Sequence, residues 1–335
     1  MRILHAPENI GGMAGVLAKA QRNLGHEAYS YSFITNQFKF KSDYVLNNPT
    51  SYVEKIQKAA SFAHQFDVFH FYFGSSLLGN SLKDVSWLSK MGKKIFFYFC
   101  GCEIRDEKIM TMKYSLSSCV NCFPKLCSKN RKLAKDVAEK FGIVNFVSTP
   151  DLLEFVDRSV LLPQVVNFEL IEKVGNESIK ERSWDEETLV IAHAPTNRLI
   201  KGTSYLIDSV EELKKIGYKI ELLLIENMSH EEAIRNYRRA DIAVDQLLAG
   251  AYGQVSAELM ALGVPTIAYL REDLIDKYPE VPPLINANPF TIKEKIMEVY
   301  ENRDMLKPYK KNSKYYAYNI HHPTQIALKS LEYYQ

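Results

Sequence analysis

The sequence predicts an α/β chain built as two doubly wound domains. Three observations predict it. Short apolar runs alternate with longer stretches of helical spacing along most of the chain. Glycines and capping residues stand where those helices should start and stop. The 335 residues suit two domains of roughly 150 residues, each large enough to bury a core.

The elements follow in order. Arg2–Ala6 is apolar, and Gly11-Gly12 forms a loop before a helix over Met13–Leu24 that Gly25 stops. Ala28–Phe33 is a second strand and Ser51–His64 a second helix. Val68–Tyr72, Lys94–Cys100, Phe146–Val147 and Val160–Leu162 continue the strand series. Strands and helices alternating at this spacing make parallel βαβ units. The second half repeats the style. Thr188–Ala194 is a strand, and a helix runs from Thr203 to Ile216 with Gly217 as its stop. After the strand Lys219–Ile225, Ser229 and Glu232 form a capping box for a helix reaching Arg239. Ile242–Val244 is a strand, Tyr252–Leu262 a helix ended by Gly263, and Thr266–Tyr269 a strand. Asn288-Pro289 then opens a helix over Phe290–Tyr300. The domains are expected at 1–165 and 188–335, with a polar linker at 166–187 and the last helix returning to the N-terminal domain. Facing domains of this kind take their ligand at the carboxyl ends of the strands.

Composition excludes several classes. A net charge of +2 gives no argument for nucleic acid. No apolar run approaches the length of a signal peptide core or a membrane span. A cytoplasmic location is expected, with peripheral contact at the inner membrane face. Gly11-Gly12-Met-Ala-Gly15 lacks the G-x-G-x-x-G spacing of a dinucleotide site, and no acidic residue ends the second strand. That argues against a dehydrogenase.

The segment Arg239-Ala-Asp-Ile-Ala-Val-Asp-Gln-Leu-Leu-Ala-Gly250-Ala-Tyr-Gly253-Gln-Val-Ser-Ala-Glu258-Leu-Met-Ala-Leu-Gly263-Val-Pro265-Thr-Ile resembles the donor-site signature of the retaining glycosyltransferases of family 4. His193-Ala-Pro-Thr-Asn-Arg198-Leu-Ile-Lys201-Gly202-Thr resembles that family's basic donor loop. The resemblance implies the GT-B architecture, two Rossmann-like domains facing across a cleft. It implies transfer of a sugar, with retention, from a nucleotide-diphosphate sugar to a glycan, glycolipid or other acceptor in surface polysaccharide synthesis. Two positions depart from the pattern. The first of the family's two acidic residues falls on Gly250, and its His-Gly pair falls on Cys100-Gly101.

The resemblance gives the residues roles. Arg198 and Lys201 are the catalytic cations on the leaving diphosphate, where charge grows as the glycosidic bond breaks. Gly250, Tyr252, Gly253 and Gln254 line the donor site at the start of a helix, whose free N–H groups suit a phosphate. Glu258 takes the ribose diol. Gly11 and Gly12 face the transferred sugar, or else form a tight turn. Cys100, Glu103 and Arg105 are acceptor-side candidates, as is His70, for which a packed core role is the competing reading. The chain contains no Asp-x-Asp, so no cofactor or catalytic metal is expected. Cys119, Cys122 and Cys127 offer three ligands for a structural zinc, and reduced cysteines in a loop are the alternative. The expected partners are a nucleotide-sugar donor, a glycan or lipid-linked acceptor, and an anionic membrane surface. The membrane expectation rests on Lys125–Lys140 and on Lys307, Lys310, Lys311 and Lys314 interleaved with Tyr309, Tyr315, Tyr316 and Tyr318. A non-catalytic partner that binds sugar nucleotides is the second functional reading. A sugar-nucleotide epimerase is a third, disfavoured because its Ser-Gly-Gly at the helix start is absent from Ala251-Tyr252-Gly253.

Overall fold

The computed structural model describes every residue except 35–37, 47, 49, 121, 123–129 and 178–186. Among the described residues there are twelve strands: β1 Arg2–Ala6, β2 Glu27–Ser32, β3 Tyr44–Val45, β4 Val68–Tyr72, β5 Lys94–Phe99, β6 Asn145–Val147, β7 Ser159–Leu161, β8 Leu189–His193, β9 Ile220–Leu224, β10 Ile242–Val244, β11 Thr266–Ala268 and β12 Ile285–Asn286. The helices are α1 Met13–Asn23, α2 Tyr52–Gln65, α3 Lys83–Lys90, α4 Glu107–Lys113, α5 Arg131–Phe141, α6 Phe168–Gly175, α7 Arg198–Lys201, α8 Thr203–Lys215, α9 His230–Tyr237, α10 Gln254–Leu262, α11 Ile292–Glu301, α12 Leu306–His321 and α13 Pro323–Tyr334.

The chain divides into two compact units. One holds Met1–Asp106, Pro124–Asn167 and His322–Gln335, and the other holds Glu107–Phe123 and Phe168–His321. Thus 107–123 groups with the second unit, and α13 with the first. The polar stretch read as a linker contributes α6, which packs on α9 and α10; its residues 178–186 lie outside the described residues.

Each unit carries one parallel sheet. The order is β3-β2-β1-β4-β5-β6-β7 in the first and β12-β11-β10-β8-β9 in the second. Parallel strands have both faces covered, which explains why β4 (Val-Phe-His-Phe-Tyr) is buried at every residue. In each sheet the strand order reverses beside the first strand. The switch points therefore fall between β1 and β4 and between β8 and β10, where ligands bind at the carboxyl ends.

Unusually for an interior, the first unit's core holds a chain of polar groups. His5 Nδ1 lies 2.9 Å from the Tyr72 hydroxyl, and Nε2 lies 2.8 Å from Gln21 Oε1. Gln21 Nε2 donates to Ser330 Oγ at 3.0 Å. His70 Nδ1 is bonded to the Tyr334 hydroxyl, and Lys94 Nζ donates to the Tyr334 carbonyl at 2.9 Å. Five of these residues lie in β1, α1, β4 and β5, and Ser330 and Tyr334 lie in α13. The network pins the last helix to the first strands, beside apolar contacts of Ile326, Leu331 and Tyr334 with Ile3, Leu17 and Phe96. His70 is therefore a core residue, fully buried in mid-strand, and is not exposed for an acceptor.

Burial lowers the His5 pKa to about 4 and holds His70 well below its usual range. An unfolded histidine titrates near 6.5. Between those values the unfolded chain binds more protons, so stability rises with pH there. The contribution is complete above about pH 6.5 and is lost as pH falls toward 4. Denaturant titrations at pH 7 and pH 5 should show this loss, and a His5→Gln, His70→Gln variant should show a flatter pH dependence. Tyr334→Ala should lower unfolding free energy by about 3–5 kcal/mol at either pH.

Candidate functional site

The second unit's switch point is built around a buried acid. Asp245 follows β10 and is 1% exposed. Burying a carboxylate is unfavourable unless donors surround it, and they do. Lys201 Nζ lies 2.5 Å from Oδ1. Ser256 gives Oδ2 its hydroxyl at 2.7 Å and its N–H at 3.3 Å. Burial pushes the Asp245 pKa up, but Lys201 and Ser256 outweigh it and leave the carboxyl below its usual range. Gln246 Oε1 accepts from Lys201 at 3.1 Å, and its amide nitrogen donates to the Ala251 carbonyl. His193, at the end of β8, bridges the Val244 carbonyl (2.7 Å) and the Thr203 hydroxyl (2.8 Å). Three chain segments thereby meet: the end of β8, the end of β10 and the start of α10.

One short helix, α7, carries both flanking cations. Asn197 caps α7, its Oδ1 accepting the Leu199 and Ile200 N–H groups at 3.0 and 3.2 Å. Gly202 ends that turn at φ 76°, where a Cβ would press on Leu247 and Leu248 at 3.3 Å. Arg198 is half exposed and meets Glu226 through two bonds, at 2.8 and 2.5 Å. Lys201, in contrast, is 12% exposed and committed to Asp245. It is a structural cation of this switch point.

Gly253 caps α10 with no side-chain bond. Further along, Glu258 is buried, and its Oε1 takes His230 Nε2 at 2.9 Å and Gln254 Nε2 at 3.0 Å. Burial works against charge on His230, yet Glu258 prevails and raises its pKa. Ser229 and Glu232 close the capping box that places His230 at the first turn of α9.

Gly250 has φ 76° and accepts the Arg271 N–H at 2.9 Å. A Cβ there would lie 2.7 Å from Arg271 Cγ. The Arg271 side chain thus runs across the position of the missing acid. Its guanidinium stacks 3.6 Å from the centre of the Tyr114 ring and pairs with Asp273 at 2.9 Å. A pocket of about 670 Å³ opens beside it, lined by Tyr114, Tyr269, Asp273 and Thr291 among others. Tyr252 corrects the sequence reading. It is 1% exposed, its hydroxyl bonds Tyr316 and His321 at 3.0 Å each, and it belongs to the core.

In the first unit Gly11 and Gly12 both have positive φ, and a Cβ on Gly12 would meet Phe40 at 3.0 Å. Glu103 is 2% exposed, and its Oε1 accepts the Cys100 N–H. Burial pushes its pKa to about 7 and, with Glu103 nearby, holds the Cys100 thiol well above its usual range. Arg105 is bound to the buried Asp151 at 2.6 and 3.0 Å. Cys119 and Cys122 close a turn, but Cys127 lies outside the described residues. Among the described residues no group of three His, Cys, Asp or Glu is placed to hold a metal.

Asp245, Ser256, His193, His230 and Glu226 were not singled out in the sequence. One signal was available for Asp245: an acid ending an apolar strand needs a buried partner.

No protein-family model and no curated protein matches this chain. Its fold, however, matches solved structures over nearly its whole length. HepE from Anabaena in complex with UDP and glucose aligns with a TM-score of 0.67 at 12% identity, covering 99% of this chain and 98% of that one. Sucrose-phosphate synthase from Thermosynechococcus elongatus aligns at 0.62 and 12% identity, covering 100% and 98%. The UDP-GlcNAc 2-epimerase from Neisseria meningitidis, bound to UDP-GlcNAc, aligns at 0.54 and 15%, covering 99% of each chain. The chain therefore has the α/β fold of two parallel sheets found in GT-B glycosyltransferases and these epimerases. Among the described residues no helix is long and apolar enough to cross a membrane.

Asp245→Ala should cost about 3–5 kcal/mol, because Lys201 is left buried and unpaired. Adding Lys201→Met to it should recover part of the loss. Chemical denaturation of the two variants checks the sign of that recovery.

Proposed function

We propose that this chain is a glycosyltransferase resembling retaining family 4, moving a sugar from a nucleotide-diphosphate donor to a glycan or lipid-linked acceptor. The observation that carries the reading is the convergence, at the second unit's switch point, of Arg198, Lys201, the start of α10 and Glu258. Donor diphosphate takes the α10 N-terminus, where free N–H groups and the helix dipole favour anions. Arg198 exchanges Glu226 for phosphate oxygens, and its planar fork can hold two of them. As the glycosidic bond breaks, negative charge grows on the leaving diphosphate, and these groups stabilise the transition state more than the bound donor. Glu258, held by His230 and Gln254, has a second oxygen for the ribose diol.

A non-catalytic partner is the alternative. It is favoured by the two cations already being paired with Glu226 and Asp245, and by Arg271 crossing the acid's place at Gly250.

Thermal shift against UDP, GDP, ADP and TDP, followed by transfer and donor-hydrolysis assays, separates the two. NMR of the product anomer decides retention. Arg198→Ala should lower turnover roughly thirty- to a thousand-fold with little loss of stability, since Arg198 is exposed. Lys201→Ala should lose stability as well, through the orphaned Asp245. Glu258→Ala should mainly weaken donor binding. Gly250→Glu should not raise turnover, because its side chain would collide with Arg271. Wild-type turnover in Arg198→Ala would sink the phosphate assignment.

Contact with anionic membrane at the cytoplasmic face completes the proposal. The sixteen residues of α12 contain no acid. Lys307, Lys310, Lys311, Lys314, Tyr315 and Tyr318 are all exposed and recur at the i, i+3, i+4, i+7 spacing of one helix face. Tyr316 is buried and takes no part. The protein should pellet with vesicles containing phosphatidylglycerol and release as salt rises. Equal pelleting with neutral vesicles would count against this.

A further inference from the structure

The second unit has a cavity at the other end of its sheet from the switch point. It measures about 420 Å³ and lies between α6, α12 and the turns that enter β10 and β11. Asp241, just before β10, lines it, whereas Asp245 follows that strand. The volume is that of an ordinary small-molecule site.

The groove is built from the α6 side by two arginines. Glu177, just past α6, is gripped by Arg235 Nε and Nη2 at 2.8 and 2.9 Å. Arg238 Nη1 donates to the carbonyls of Val174 and Glu177, the latter at 3.0 Å. These bonds tie the end of α6 to α9. Phe168 and Tyr318 meet edge to face with ring centroids 6.2 Å apart, and both line the cavity. Leu262, Val264 and Pro265 add an apolar wall from the turn between α10 and β11.

Cations border this apolar wall. Lys310 and Lys314 lie one turn apart on α12 and both line the groove. The Lys314 stem crosses Gly263, where an added Cβ would stand 3.1 Å from Lys314 Cγ. A lysine stem laid down in this way covers apolar surface and keeps its ammonium group at the rim. The C-terminus of α10 is closed by its own backbone. The Gly263 N–H donates to the Met260 carbonyl at 3.0 Å and the Val264 N–H to the Leu259 carbonyl at 2.9 Å. Among the described residues, neither lysine has a carboxylate partner. The groove also holds two acids. Asp241 accepts the Val190 N–H at 2.8 Å and lies 3.8 Å from Arg303, and Glu172 is exposed. With Arg238, the lining cations outnumber them. Lys310 and Lys314 also rim, with Lys307 and Lys311, a further hollow on α12. Groove and basic face therefore share two cations. Cations beside an apolar wall, continuous with a basic helix face, match a phosphate joined to a hydrocarbon chain.

We propose that the groove takes one anionic phospholipid from the bilayer. Its phosphate sits on Lys310 and Lys314, and the start of one acyl chain lies along Leu262, Val264 and Pro265. This rests on the membrane reading of α12 and deepens it, from a charged surface to a site for a single lipid. It is independent of donor binding, since the two sites lie at opposite ends of β10.

Calorimetric titration of the full chain tests it. The probe is dihexanoylphosphatidylglycerol below its micellar concentration, compared with dihexanoylphosphatidylcholine and glycerol 1-phosphate. Gly175 also lines the groove, and an added Cβ there would meet nothing within 4 Å. Gly175→Leu therefore has room for its side chain and takes space from the lipid. Lys310→Gln with Lys314→Gln removes the two charges. We expect the phosphatidylglycerol to bind at least tenfold tighter than either comparison, and at least tenfold weaker to each variant, with melting temperatures level. Gly175→Leu should still pellet with phosphatidylglycerol vesicles, because the basic face is intact. No binding of the short-chain phosphatidylglycerol, equal binding of either comparison, or wild-type affinity in either variant overturns the site, whether or not vesicles pellet. If the short-chain lipid binds as expected and the wild type pellets with no vesicle, the site stands and the membrane-face reading fails.

Discussion

The second unit's site depends on one buried carboxylate. Asp245 cannot stay charged inside protein without compensation, and the compensation sets the geometry around it. Lys201 must fold inward to meet Oδ1, which fixes the turn from Asn197 to Gly202. Ser256 must present both its hydroxyl and its N–H to Oδ2, which fixes the first turn of α10. One donor of that helix start is thus satisfied from within the protein. Under the proposed function, the donor's diphosphate would meet the outer part of the turn and the exposed Arg198. The positive end of the site is rigid on its inner side and exchangeable on its outer side.

The two units treat buried polarity differently. In the second, charges are paired and close to the surface edge where chemistry is proposed. In the first, beside the buried Arg105–Asp151 pair, neutral histidines, a glutamine, a serine and tyrosines are hydrogen-bonded to one another in the core. Each link satisfies a group that would otherwise be orphaned, and His70 Nε2 is left buried without a partner. It also gives register. Apolar contacts alone would let α13 slide against α1, whereas Gln21 to Ser330 and His70 to Tyr334 fix its position.

Most of the fold was legible because period carries it. Strands such as Val68–Tyr72 and Lys94–Phe99 are continuous apolar runs, and the capping box at Ser229 and the stops at Gly25, Gly217 and Gly263 mark helix ends locally. What was not legible depends on contacts distant in sequence. Nothing near 107–123 indicates that Tyr114 will stack on Arg271 and join the second unit. Tyr252 stands in a ligand-like position in the motif, but α12 covers it with Tyr316 and His321. Lys201 looked like a free cation because its partner lies 44 residues on.

The return of α13 to the first strands has a consequence for synthesis. Gln21 and its partner Ser330 are 309 residues apart, so the first unit lacks a wall of its core until α13 has been made. The second unit has every segment it needs once His321 has emerged. Domains on a ribosome generally fold from the N-terminus onward, but here the later unit is complete first. The nascent first unit waits with the faces of α1 and β5 uncovered, held open by chain order until its last helix arrives.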